Sequence, residues 1–73
     1  MSEHVTIARG KTFDVKDIFK RHGFKPGRCR GEFCWVHDPA ITEDKRQELS
    51  IELRPTGFAM DIEIKNIKRE YLQ

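Results

Sequence analysis

Four side chains able to bind metal or carry protons crowd into one stretch: His22, Cys29, Cys34 and His37. Such donors suit zinc, which takes thiolate sulfur and imidazole nitrogen in a tetrahedral shell. The spacing works against that chemistry. No two of them form a Cys-x-x-Cys pair or another tight chelating arrangement. Cys34 and His37 are three apart, so a regular strand sends them to opposite faces. The same parity, together with a reducing compartment, argues against a Cys29–Cys34 disulfide. The sequence therefore assigns no metal and no cofactor. It expects a small buried Cys34, a surface Cys29 and surface histidines.

Catalysis by other means finds little support. There is no Ser/His/Asp set and no glycine-rich phosphate loop. Histidine can act as acid or base near neutral pH, and a ribonuclease using His37 or His22 is the weakest reading kept. No enzyme is assigned.

Charge and aromatics carry more. Lys16, Lys20, Arg21, Lys25, Arg28 and Arg30 fall within one helical segment, its end and the turn that follows. Together they can meet several phosphates on one surface. Phe33 and Trp35 share one face of the next segment, where exposed rings would stack on bases. The competing role for that pair is to complete the core with Phe19, Ile51 and Ile62, which a small domain needs.

The whole chain frames these groups. It has 73 residues and a net charge of +2, made of +5 over residues 1–31 and −3 over residues 32–73. A domain this short buries only about 60% of its unfolded surface, so stability is thin. A chain polarised in this way presents one basic face without being basic overall. No apolar run is long enough to span a membrane and none follows the N-terminus, so neither a membrane nor a secretion signal is expected. Two cysteines point to a reducing cytoplasm. Oligomeric state is not legible.

The elements that must position the groups read as follows. Residues 1–11 form an edge strand or an arm, with Val5 and Ile7 alternating against Thr6 and Ala8. Residues 12–23 form a helix, capped by Thr12 or Asp14, with Val15, Ile18, Phe19 and His22 in one stripe and Gly23 as its stop. Lys25–Arg28 reads as a turn, and a strand runs from Cys29 or Glu32 to His37, ended by Pro39. Residues 40–47 read as a loop with at most one helical turn after Thr42. Residues 49–54 and 58–65 alternate as strands around a Pro55–Gly57 hairpin, with Leu49, Ile51, Leu53, Phe58, Met60, Ile62 and Ile64 inward. Residues 66–73 suggest a short C-terminal helix. The expected fold is one α+β domain over 1–73: two layers, with an amphipathic helix on a three-stranded, at most four-stranded, antiparallel sheet.

After its short amphipathic helix the chain reads Gly23-Phe-Lys-x-x-Arg28-x-Arg-Gly31-x-x-x-x-Val36-x-Asp-Pro39. Over residues 13–39, roughly a third of the chain, this resembles the HicA family of small toxin ribonucleases. The resemblance implies a fold like a double-stranded-RNA-binding domain and an RNA target. Where that family places its catalytic histidine, this chain has Phe33 and Cys34. What carries over is RNA-facing architecture without the cleaving group.

The leading expectation is thus a small, non-catalytic, cytoplasmic module that binds nucleic acid, RNA first. The alternative is a regulatory module, of phage or mobile-element type, that docks on a host protein. Glu52, Glu63 and the 40–48 loop would form its surface.

Overall fold

A computed structural model describes residues 3–72. The elements in chain order are β1 (His4–Gly10), α1 (Lys16–Arg21), β2 (Lys25–Cys29), β3 (Glu32–His37), α2 (Glu43–Leu53) and β4 (Ile62–Lys68). Short 3-10 turns cover Phe13–Val15, Arg54–Thr56, Ala59–Asp61 and Arg69–Tyr71. The four strands form one sheet in the order β2-β3-β1-β4, and every neighbouring pair is antiparallel. Two strand–helix–strand units thus share one sheet, each with a strand of the other inserted, which is the split βαβ connectivity of ferredoxin-like folds. The two-layer α+β class stands, with four strands. The expected order, an optional first strand, a helix, three strands and a short last helix, does not stand, because α2 takes the place of the second of those three strands.

β1 explains much of that difference. It is a central strand, not an edge or an arm. Val5, Thr6, Ile7 and Ala8 are buried in succession, the mark of a strand covered on both faces. Ala8 joins the core under the helices, with Val15, Phe19, Phe24, Trp35, Leu49 and Leu53. Val5 and Ile7 join Cys34 in a second cluster on the other face, flanked by Cys29, Val36, Ile67 and Leu72. The buried Thr6 hydroxyl is satisfied: it donates to Asn66 Oδ1 at 2.7 Å and accepts from the Ile41 N–H at 2.9 Å.

α1 is the expected helix in shortened form. Its stripe faces the core as predicted, with Val15 and Phe19 buried and Ile18 packed beside them. Phe19 lies stacked 6.3 Å from Trp35 and edge-on to Phe24 at 5.3 Å. Burying such a ring contributes about 1.5–3 kcal/mol. Gly23 stops the helix in the left-handed region (φ 88°), and the Phe24 N–H turns back to the Phe19 carbonyl at 2.9 Å. No side-chain cap forms at Thr12, which is buried instead.

Residues 25–29, expected as a turn, are strand β2. The turn lies one step later, at Arg30-Gly31, between the last paired residues Cys29 and Glu32. Both turn residues are left-handed, with φ 53° and 83°. Such two-residue hairpins favour Asn or Gly at the first position, and a larger side chain there costs about 1–2 kcal/mol. Arg30 is the one non-glycine with positive φ among the described residues.

The second half departs most. Residues 49–54 are not a strand: 49–53 belong to α2, whose N-cap Thr42 accepts from the Lys45 N–H at 3.3 Å. Glu43 and Asp44 in its first turn suit the helix dipole. Leu49 and Leu53, four apart, face the core, whereas Ile51 is 64% exposed. Arg54–Thr56 extends the helix as a 3-10 turn that Gly57 ends at φ 81°, so no hairpin stands there. The last strand begins at Ile62, not Phe58, and Met60, expected inward, is exposed. Strand β4 runs on to Lys68, where a helix was expected to begin. The segment after it crosses the sheet face opposite the helices: from edge strand β4 it reaches edge strand β2, where Leu72 bridges Cys29. Among the described residues no helix is long and apolar enough to cross a membrane.

Candidate nucleic-acid interface

The six predicted basic residues divide between the two sides of edge strand β2. Lys16 and Lys20 stand one helical turn apart on α1. Arg28 pairs in register with Phe33, whose parity with Trp35 places both on the helix side. Lys25 pairs with Val36, on the opposite side, and Arg30 sits in the turn with its guanidinium 5.1 Å from the Tyr71 ring. Arg21 leans on Glu52 at 3.5 Å. The other five have no carboxylate partner among the described residues.

A groove of about 320 Å³ opens beside Lys16, at the entry to α1. Its walls include Lys11, Phe13, Lys16, Phe33 and Trp35, with one carboxylate, Asp14. Phe13 is 76% and Phe33 54% exposed. The Lys16 ammonium lies 4.4 Å from the Phe13 centroid, a cation–π contact that keeps the charge at the rim. Trp35 is only 5% exposed, and its indole N–H is buried without an acceptor. Orphaned donors of this kind are rare in folded proteins. Phe33 meets the Trp35 ring edge-on at 5.7 Å. The aromatic pair is thus divided: Trp35 belongs to the core and Phe33 remains available for stacking.

Phe13 and Lys11 were not singled out from the sequence. The signal existed: Phe13 falls outside the stripe of Val15, Ile18, Phe19 and His22, so a helix burying that stripe leaves it in water.

The four-donor set is broken up. His22 and His37 line one small pocket of about 230 Å³ with Phe24, Ile41, Lys45 and Leu49. Cys34 is buried in the cluster on the other face of the sheet, with Cys29 beside it. Both thiols are free. Parity does not separate the two cysteines as expected, because the turn at Arg30-Gly31 resets the count and returns both to one face. Burial, and after it the neighbouring Cys29, push the Cys34 thiol above its ordinary pKa. Neither histidine is a plain surface residue. His22 Nε2 meets the Glu52 carboxylate, tying α1 to α2, and His37 Nδ1 donates to the Pro39 carbonyl at 2.6 Å. Among the described residues no group of three or more His, Cys, Asp or Glu is placed to hold a metal ion.

Glu52 and Glu63 share no docking face. Glu52 lies on α2, and the His22 hydrogen bond, then the charges of His22 and Arg21, hold its carboxyl below the usual range. Glu63 lies on β4, lowered by a hydrogen bond from Lys65 and by the charge of Arg9.

No family model, curated protein or solved structure matches the chain. The class is defined by the fold alone, a small two-layer α+β domain.

Proposed function

We propose that this protein binds single-stranded nucleic acid along its helix side, with bases against Phe13 and Phe33 and phosphates on Lys11, Lys16, Lys20 and Arg28. The observation that carries the reading is the pairing of two exposed rings with cations that lack carboxylate partners around one groove. Aromatic platforms flanked by positive charge are how sequence-tolerant single-strand binders work. Trp35 also lines this groove, and its buried N–H is a donor without an acceptor, which a base carbonyl or ring nitrogen could satisfy. The preference for RNA comes from the resemblance over residues 13–39. Two free thiols fit a reducing cytoplasm.

Filter binding of single-stranded RNA, single-stranded DNA and duplex RNA at two salt concentrations tests this. Single strands should bind best and weaken as salt rises. Phe33→Ala should cost about 1–3 kcal/mol of affinity, and Arg28→Glu should lower the salt dependence. Arg21→Ala, already engaged by Glu52, should do less than Arg28→Ala. Absence of binding at low salt, or binding indifferent to both Phe33→Ala and Arg28→Glu, would end the proposal.

A further inference from the structure

The C-terminal segment, crossing the sheet, roofs a groove on the face away from the helices. It encloses about 510 Å³ and is lined by Arg9, Arg30, Lys65 and Lys68, with Tyr71 and Ile67 among its walls. Two carboxylates act on these cations. Glu32 and Glu63 approach Arg9 at 3.5 and 3.1 Å, and Glu63 also takes Lys65 at 3.2 Å. Arg30 and Lys68 have no carboxylate partner among the described residues, so the groove keeps an excess of two positive charges.

Arg30 is held in a way that packing does not require. It occupies a left-handed turn position that Asn or Gly would fill with less strain. The Cys29–Leu72 bridge next to it brings Tyr71 into place, and the guanidinium lies 5.1 Å over that ring. A guanidinium held over an aromatic ring still has N–H groups to offer, and these can pair two-pronged with phosphate oxygens.

We propose that this groove is a phosphate site that takes the phosphomonoester of a nucleotide, with Arg30 donating through its guanidinium edge and Lys68 balancing the second charge. The ligand is a dianion, which matches the two cations left over. The site lies on the opposite sheet face from the proposed single-strand groove and does not depend on it.

Titration calorimetry with AMP, inorganic phosphate, and a short RNA oligonucleotide carrying either a 5′-phosphate or a 5′-hydroxyl tests the site. Wild type should bind AMP and inorganic phosphate, and should prefer the 5′-phosphorylated oligonucleotide to the 5′-hydroxyl one. Arg30→Asn and Lys68→Gln should each weaken AMP about 10- to 100-fold. Asn suits the turn, so Arg30→Asn should unfold at the same temperature as wild type or higher, separating lost binding from lost folding. Phe33→Ala should leave AMP binding intact, which distinguishes failure here from failure of the single-strand reading. No binding of AMP or phosphate by wild type, or binding unchanged in both variants, overturns the proposal.

Discussion

His22, just past the end of α1, and Glu52, in the last turns of α2, are joined side chain to side chain, with Arg21 adding a second contact to the same carboxylate. The pair fastens the two helices over the core, where the sequence suggested a surface histidine and a sheet-face acid.

That pair has a pH consequence. The Glu52 carboxyl is held below the ordinary range by the His22 hydrogen bond and then by the two neighbouring charges. A depressed carboxyl adds stability above its unfolded pKa, and that stability is lost as pH falls through the folded one. Thermal unfolding from about pH 6 down to about pH 2 should therefore show a steeper acid decline in wild type than in Glu52→Gln. Equal slopes would mean that the contact adds nothing to the fold. Glu63, also depressed, supplies part of the remaining slope in both proteins.

Leu49 and Ile51 separate the observed helix from the strand that alternation suggested. In a strand both would face the core. In α2, Leu49 is fully buried and Ile51 is 64% exposed. Leu49→Ala should lose about 2–5 kcal/mol and Ile51→Ala within about 0.5 kcal/mol, read from urea midpoints. Comparable losses would refute the helix.

Gly10 and Gly31 both have positive φ, but only Gly10 is enclosed. A Cβ there would lie 2.2 Å from the Asp61 carbonyl oxygen, whereas at Gly31 nothing lies within 4 Å. Backbone strain of about 1–3 kcal/mol applies to alanine at either position, and the clash adds to it at Gly10. Gly10→Ala should unfold at clearly lower urea than Gly31→Ala, and the opposite order would contradict the packing of β1 against the turn before β4.

The two thiols should differ in reactivity. Cys34 is buried and its thiol is pushed upward, mainly by that burial, while Cys29 is half-buried in the edge strand. The thiolate is the reactive form. Peptide mapping after brief iodoacetamide treatment of the native protein should find Cys29 modified well before Cys34, and equal rates in denaturant.

Legibility tracked how local each signal was. The stripe of Val15, Ile18 and Phe19, the stop at Gly23 and the strand ending at His37 are each written within a dozen residues, and each stands in the fold. Thr42 followed by Glu43 and Asp44 is an equally local helix start. It was outweighed by five alternating residues, Leu49 to Leu53, which satisfy a period of two and an i, i+4 pair equally well. The candidate interface was half legible. Its cations stood out, but Phe13 and Lys11 belong to it only because the helix entry packs beside Phe33, on a strand some twenty residues later.

The residues alone carry the class: a small α+β domain with one amphipathic helix, a polarised charge distribution and no clustered metal ligands of standard spacing. Those properties follow from composition and short-range periodicity. Tertiary structure alone decided that β1 lies at the centre, that 43–53 is helical, and that the basic residues part across an edge strand. It also decided which aromatic is core and which is surface. Each of these depends on which segment covers which face of the sheet, and that choice is made by burial between residues far apart in the chain, such as Ala8 against Trp35 or Cys29 against Leu72.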